Sequence, residues 1–193
     1  MGILGVLIMK KRTTDLSAYE HVTHTFGPVY DKNSKILILG SIPSVKSREQ
    51  QFYYGHPQNR FWKVISAVFG ETEPGTIAEK KDFLRRNNVA LWDVIASCDI
   101  MGSLDSSIKN VKQNDMNVIL SVADIQTIYL NGGKAQELFM KYCGKYVHEN
   151  KPALVKLPST SPANAAWSLE GLTNTWRDAI SILGEGVSVQ NGV

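Results

Sequence analysis

The chain has 193 residues, of which 43% are hydrophobic and 20% are charged, and this composition favours one globular domain with a sizeable core. Its two cysteines, Cys98 and Cys143, are too few and too far apart for a disulfide framework or a zinc site, so we expect unreactive thiols in a reducing interior. The net charge of +3 is compatible with nucleic acid, but many proteins that bind small ligands are as basic.

The two ends of the chain lack the pattern of a folded segment. The apolar stretch Ile3–Met9 is too short to span a bilayer and lacks the flanks of a signal peptide. We predict a disordered extension over residues 1–14, in which Met9 is an alternative natural start, and a frayed tail over residues 185–193. A single soluble domain is therefore predicted for residues 15–184, in the cytoplasm and without membrane contact.

The first buried strand is predicted at Lys35–Leu39, a run of branched apolar residues that ends at Gly40. Apolar residues at helical spacing predict a helix over Phe61–Phe69. The segment between them is rich in turn formers, hydroxyls, aromatic rings and cations, and it is far longer than the usual connection of about four to six residues. Because it leaves the carboxyl end of a buried strand, where ligands bind in α/β sheets, we interpret it as a binding loop.

Helical and strand patterns alternate along the rest of the chain, interrupted by a polar stretch at Ser97–Asn114. This alternation predicts an α/β fold with three layers, α/β/α, around a mostly parallel four-stranded sheet. The predicted elements are a helix opened by a capping box at Thr76–Glu79 and ending near Arg86, a strand at Val89–Asp93, a short helix capped by Asp115 and ending at Val122, a strand at Ile125–Leu130, a helix over Ala135–Tyr142, a strand at Ala153–Leu157, and a last helix over Leu172–Leu183 stopped by Gly184.

Three of the predicted strands end in unusual polar sequences. These are Gly40–Ser44 after the first strand, Asp93 at the end of the second, and Pro158–Ser161 after the fourth. Because the carboxyl ends of parallel strands lie at one edge of the sheet, we expect these segments to line a single cleft.

Three motifs resemble the uracil-DNA glycosylase superfamily, and most specifically its hypoxanthine-DNA (deoxyinosine) glycosylase branch. They are GSIPS at 40–44, YYGHPQNRFWKVI at 53–65 and LPSTSPAN at 157–164, and the resemblance runs from about Thr25 to Leu183. The mismatch-specific uracil branch is similar in the second motif but has a water-positioning asparagine where this chain has Ile42. The resemblance therefore implies a uracil-DNA glycosylase-like fold and a monofunctional enzyme that releases hypoxanthine from double-stranded DNA as a monomer.

The resemblance also implies which residues bind the extruded base. Tyr54 matches the position whose ring stacks on the base, although it could instead anchor the loop to the core. Asp93 matches a base-reading position, where a carboxylate can accept the N1–H of hypoxanthine; a helix or loop cap is the alternative. Ser41 and Ile42 are expected to line the same pocket.

Asn59 and His56 are the implied catalytic residues. Asn59 could orient water or polarise the leaving base, but an asparagine at a helix start is also a common N-cap. His56 could bond a phosphate or the base, or only the backbone of its own loop.

Hydroxyls and amides of two serine-rich loops are expected to hold DNA phosphates, although such loops are also common structural turns. These residues are Ser44, Ser47, Ser159, Thr160, Ser161 and Asn164. Lys46, Arg48 and Arg60 are expected to lie against phosphates as well.

Three other functions stay open at this point: a uracil or thymine mismatch glycosylase of the same fold, a non-catalytic DNA-binding module, and an α/β protein for a small soluble ligand. The sequence has no HExxH motif or CxxC pair, and we expect neither a metal nor a cofactor.

Overall fold

The computed structural model describes residues 19–102, 104–147 and 152–181. The strands in this part of the chain are β1 (Glu20–Thr23), β2 (Ile36–Gly40), β3 (Val89–Asp93), β4 (Ile95–Ile100), β5 (Lys109–Gln113), β6 (Thr127–Asn131) and β7 (Ala153–Leu157). The α-helices are α1 (Val45–Gln50), α2 (Phe61–Phe69), α3 (Ile77–Arg86), α4 (Asn117–Leu120), α5 (Gly133–Tyr142) and α6 (Leu169–Ser181). The predicted N-terminal extension with Met9, the stop at Gly184 and the C-terminal tail lie outside the described residues.

The central sheet has four strands in the order β3-β2-β6-β7, and every neighbouring pair is parallel. Nearly all residues of β2, β3 and β6 are buried, as expected for strands that are covered on both faces. Helix α3 packs against β3, α5 packs against β6 and β7, and α6 packs against α2 and β7. The connections from β2 to β3 and from β6 to β7 run in opposite directions across the sheet, so the right-handed rule for such crossovers assigns their helices to opposite faces. The predicted α/β fold with a parallel four-stranded sheet is confirmed.

A second, antiparallel sheet of order β1-β4-β5 was not predicted. The expectation that Ser97–Asn114 only interrupts the pattern is wrong, because β4 and β5 lie within or across this stretch. Their sequences escape detection because the buried positions of β4, Ile95, Cys98 and Ile100, do not alternate regularly, and β5 is a mostly exposed strand with polar residues on both faces. Backbone hydrogen bonds to β4 hold β5 in place, together with Val111, which packs against the core.

The long connection after β2 contains the six-residue helix α1, which was also not predicted. Ser44 caps this helix by accepting a hydrogen bond from the backbone N–H of Ser47. So short a helix carries no apolar periodicity, which explains why the sequence pattern shows only a loop.

One predicted helix start is confirmed in detail, because Thr76 and Glu79 form a reciprocal capping box at the start of α3. The predicted cap of α4 is displaced by one residue: its N-cap is Met116, and the preceding Asp115 accepts from the backbone N–H of Asn117 at 3.1 Å. This helix ends at Leu120, two residues earlier than predicted. Within the described residues, every helix falls short of the length and apolar character needed to cross a membrane.

Gly132 directly follows β6 and is hydrogen-bonded to the end of β7. Its φ is 102°, a left-handed conformation that favours glycine, and its N–H donates to the carbonyls of Leu130 and Leu157 at 2.9 and 3.0 Å. A Cβ at this position would lie 2.8 Å from the Cβ of Ser159. The loop after β7 can therefore pack against the end of β6 only because residue 132 has no side chain.

We predict that Gly132→Ala lowers the free energy of unfolding by about 1–3 kcal/mol, because it adds both backbone strain and a clash with Ser159. Gly133→Ala is the matched control, since a Cβ there meets nothing within 4 Å and alanine favours the first turn of α5. Urea unfolding of both variants measures the difference; equal stability of the two would contradict the packing argument.

Candidate active site

A cleft of about 970 Å³ opens above the carboxyl ends of the central strands. It brings together all the site residues proposed from the sequence, which confirms that the polar strand ends share one cleft. These residues are Ser41, Ile42, Ser44, Ser47, Tyr54, His56, Asn59, Asp93, Ser159, Thr160, Ser161 and Asn164.

Asp93 forms the floor of the cleft and is 4% exposed. Its Oδ2 lies 2.9 Å from Nε2 of His24, and its backbone carbonyl accepts from the side chain of Asn114. The neighbouring strand presents Gly40 at the same register position, where a Cβ would lie 2.2 Å from Oδ1 of Asp93 and 3.2 Å from the hydroxyl of Tyr54. Glycine at residue 40 therefore makes room for the carboxylate and the phenol. Among the described residues the Asp93 side chain caps neither a helix nor a loop.

Tyr54 presents an aromatic surface beside this carboxylate. One face of its ring is stacked on Phe61, with 3.9 Å between centroids and 16° between planes, so the opposite face is the one available to the cleft. Its hydroxyl accepts from the side chain of Asn131 at 3.0 Å. Burial raises the pKa of Tyr54, the nearby Asp93 carboxylate raises it further, and the bond from Asn131 opposes both. The neighbouring Tyr53, which is buried in the core, is the residue that anchors this loop.

Asn131, at the end of β6, connects Tyr54 to the loop after β7. Its Nδ2 donates to the hydroxyls of Tyr54 and Thr160, and its Oδ1 accepts from the backbone N–H of Thr160, all at 3.0 Å. The side chain is almost fully buried, and its hydrogen bonds connect the end of β6 to the segments that contain Tyr54 and Thr160. Asn131 therefore sets the position of Tyr54 relative to the serine-proline loop, which we define as Pro158–Asn164.

His56 and Asn59 lie on the wall of the cleft, and each makes a bond within its own loop. Nδ1 of His56 accepts from the backbone N–H of Gln58 at 3.2 Å, so a neutral ring carries its proton on Nε2. Oδ1 of Asn59 accepts from the backbone N–H of Phe61, the first residue of α2, at 3.0 Å, although the N-cap position itself is Arg60. Each side chain nevertheless keeps an N–H group that is not used in these bonds: Nε2–H of His56 and Nδ2 of Asn59.

Arg60 ties the serine-proline loop to the start of α2. Its guanidinium donates to the carbonyls of Ser161 and Asn164 at 2.9 Å and to that of Trp167, and its backbone N–H donates to the carbonyl of Thr160. The guanidinium of Arg60 thus donates to backbone carbonyls of the protein. Arg60 therefore holds the serine-proline loop against the start of α2.

Inside the serine-proline loop, hydroxyls bond to backbone N–H groups. Ser159 accepts from the N–H of Ser161, and Ser161 accepts from that of Ala163. The Asn164 amide donates to the Ser159 carbonyl at 2.9 Å. Thr160 is fully buried, whereas Ser159, Ser161 and Asn164 are partly exposed on the cleft.

On the opposite loop, Ser47 is 2% exposed and its hydroxyl accepts from the backbone N–H of Gly55. Ser44 is partly exposed, and its hydroxyl both caps α1 and lies 3.1 Å from that of Ser47. Ser41 and Ile42 are partly buried and line the pocket.

The other two cations expected near phosphates are paired with carboxylates. Lys46 lies 2.7 Å from Glu49 in an exposed pair, and Arg48 bonds the carboxylate of Glu20 and the carbonyl of Pro43. An exposed pair contributes little stability, so the ammonium of Lys46 can exchange its partner at small cost.

His24 and Asn131 were not assigned to the site from the sequence, although both contact its assigned residues. A polar residue at the end of a wholly buried strand was the available signal for Asn131. His24 gave no signal, because it precedes Asp93 by 69 positions and joins it only through the fold. Within residues 19–102, 104–147 and 152–181, no three His, Cys, Asp or Glu side chains are grouped so as to hold a metal ion.

Comparison with known proteins adds independent evidence for the family to which the chain belongs. The sequence profile of the Uracil DNA glycosylase superfamily matches residues 28–180. The chain is 39% identical over 145 residues to a hypoxanthine DNA glycosylase of Methanosarcina acetivorans, covering 74% of this chain and 89% of the relative. It is 35% identical over 114 residues to a hypoxanthine DNA glycosylase of Methanosarcina barkeri, covering 58% of this chain and 72% of the relative.

The fold is similar to a solution NMR structure from Methanosarcina acetivorans, of a protein provisionally described as a uracil DNA glycosylase. The TM-score is 0.65 at 33% sequence identity, and the match covers 79% of this chain and 95% of that chain. The similarity therefore extends over most of this chain.

We predict that Arg60→Lys loosens the serine-proline loop, because one ammonium cannot replace a planar guanidinium that contacts three carbonyls. The free energy of unfolding should fall by about 2 kcal/mol, and amide hydrogen exchange should accelerate at Ser161, Ala163 and Asn164. Arg85→Lys, which alters an exposed pair with Asp82, is the control and should leave both measurements unchanged. Unaltered exchange in Arg60→Lys would show that the loop holds its shape without the guanidinium.

Proposed function

The chain belongs to the uracil DNA glycosylase superfamily, and we propose that it hydrolyses the N-glycosidic bond of deoxyinosine in double-stranded DNA. The products are free hypoxanthine and an abasic site, and the DNA strand is not cut. The two hypoxanthine DNA glycosylases described above support this substrate. The observation that carries the proposal is the placement of a stacking ring, Tyr54, beside the buried carboxylate of Asp93 at the closed end of the cleft.

An extruded hypoxanthine fits the chemistry of this closed end. The free face of Tyr54 offers a stacking surface, and such stacking contributes about 1–3 kcal/mol per base. Asp93 offers an acceptor for the N1–H of the base. Because Phe61 backs the ring and Asn131 holds its hydroxyl, the stacking surface has a fixed position relative to the carboxylate.

Asn59 and His56 are the proposed catalytic residues. In the reaction, the C1′–N9 bond breaks with its electron pair moving to the purine, the hydroxyl of a water molecule bonds to C1′, and the remaining proton of that water ends on the released base. Because Oδ1 of Asn59 accepts from Phe61, its Nδ2 is the group available to stabilise negative charge on the departing base. The Nε2–H of His56 is suited to the same role.

The two serine-rich loops are proposed to hold the DNA backbone on either side of the extruded nucleotide. Ser44, Ser159, Ser161 and Asn164 are partly exposed on the cleft and can meet phosphates directly. Ser47 and Thr160 are buried, so we assign them the indirect role of shaping these loops. We further propose a monomer that works in the cytoplasm, with residues 15–184 as its single domain.

Excision from three duplexes tests the substrate. We predict that the protein releases hypoxanthine from an inosine-containing duplex well above uracil from a G·U duplex or thymine from a G·T duplex. Uracil also has an N–H donor, at N3, so pocket size and the apolar Ile42 must account for the preference. Alkali treatment after incubation converts abasic sites into strand breaks that are counted on a gel, and breaks before alkali report any strand cleavage.

Faster release of uracil than of hypoxanthine would favour a mismatch uracil glycosylase. Binding of duplex without release of any base would favour a non-catalytic module, and absence of DNA binding would favour a small-ligand protein.

Two variants of Asn59 separate catalysis from capping. Asn59→Ala removes both the hydrogen bond to Phe61 and the Nδ2 donor, whereas Asn59→Asp keeps an acceptor for Phe61 but replaces the donor with a negatively charged carboxylate oxygen. We predict that both lower the single-turnover rate at least ~100-fold, as expected for one positioned catalytic group. Only the alanine variant should lose stability, by about 1 kcal/mol. Near wild-type activity of Asn59→Asp would leave Asn59 with a structural role alone.

A further inference from the structure

A histidine and a carboxylate are paired at the floor of the cleft. The side chains of His24 and Asp93 are 3% and 5% exposed, and their Nε2 and Oδ2 atoms are 2.9 Å apart. Around the imidazole lie Phe26, with ring centroids 4.5 Å apart, and Tyr53, at 5.9 Å. The pair thus lies in an aromatic, nearly dry environment directly behind the proposed base pocket.

The surroundings of His24 indicate where its proton lies. Nδ1 is buried and has no hydrogen-bond partner among the described residues. A proton on Nδ1 would therefore be buried without an acceptor, which is costly, while a proton on Nε2 is donated to the carboxylate of Asp93. The arrangement favours the tautomer of His24 in which Nε2–H donates to the carboxylate of Asp93.

This bond leaves the two carboxylate oxygens of Asp93 in different situations. Oδ2 is occupied by His24, whereas Oδ1 lies over Gly40, close to where a Cβ would be and near the hydroxyl of Tyr54. The backbone carbonyl of Asp93 is held separately by Asn114. Oδ1 makes no hydrogen bond to any of the described residues, so it is the oxygen that can accept from a ligand at the pocket floor, next to the stacking ring.

Stability alone does not explain such a pair. Removing a carboxylate from water is costly, and apolar side chains of similar volume stabilise a core equally well or better. A pair that faces a cleft and directs one oxygen toward it is better explained by ligand recognition.

We propose that His24 is a positioning residue that orients the Asp93 carboxylate, so that Oδ1 accepts the N1–H of the extruded hypoxanthine. This inference rests on the proposed function. His24 does not touch the base; it acts by fixing the rotation of the carboxylate and by occupying the oxygen that the base does not use.

Variants of His24 test the proposal. His24→Phe keeps an aromatic ring but removes the donor, whereas His24→Gln places an amide N–H the same number of bonds from the backbone as Nε2 of histidine. His21→Phe is the matched control, because His21 also bonds a carboxylate, that of Asp99 at 2.8 Å, but its side chain is 64% exposed. Melting temperatures of all variants are measured alongside activity.

We expect His24→Phe to lower the single-turnover rate on an inosine duplex about 10- to 100-fold, since the acceptor is no longer oriented. His24→Gln should recover the rate to within about 3-fold of wild type, and His21→Phe should not change it. A second duplex contains deoxynebularine, a purine nucleoside that lacks both N1–H and O6. Its cleavage should be much less sensitive to His24→Phe than that of inosine.

Three results would overturn the inference while leaving the glycosylase function intact: an unchanged inosine rate in His24→Phe, an equal loss in His24→Gln, or equal losses on inosine and nebularine. An inactive wild type on inosine would instead reject the proposed function, and the role of His24 with it. The rate of the wild-type protein on the inosine duplex therefore distinguishes failure of the inference about His24 from failure of the proposed function.

Discussion

The register of the parallel sheet is the constraint on which the rest of the site depends. Gly40 pairs with Asp93 across β2 and β3, and the pairing of Leu39 with Leu130 brings Asn131 to the same edge. These three residues therefore lie side by side at the ends of their strands. Gly40 leaves space, Asp93 supplies the carboxylate, and Asn131 holds the ring of Tyr54 and the serine-proline loop. A shift of one residue in any strand would turn these side chains to the other face of the sheet.

The parts of the molecule that the sequence predicts are those in which local pattern and burial agree. Strands β2 and β3 are almost continuous apolar runs, and β6 has the apolar centre Ile128–Leu130, because both faces of the sheet are covered. Helix α3 begins with a capping box that needs only neighbouring residues. The common edge of these strands also follows from the alternation of elements, so the single cleft could be predicted without coordinates.

The parts that escape prediction depend on contacts between distant segments. Strand β5 has too few buried residues to show a period, and the role of Arg60 depends on carbonyls about a hundred positions away. Asn59 illustrates a different limit, because its hydrogen bond to the first N–H of α2 and its place on the cleft are compatible with each other. The sequence presents these as alternatives, whereas the fold allows both.

Tyr54 has a φ of 54°, which is uncommon for a residue other than glycine, and its ring is held by Phe61 on one face and by Asn131 at the hydroxyl. The conformational entropy of this side chain is therefore lost when the protein folds, and not when a base arrives. A preorganised surface of this kind captures its ligand by rigid docking, with little rearrangement of the protein. The conformational change in recognition is then made mainly by the nucleic acid, whose readiness to unstack at a damaged pair becomes part of how the lesion is found.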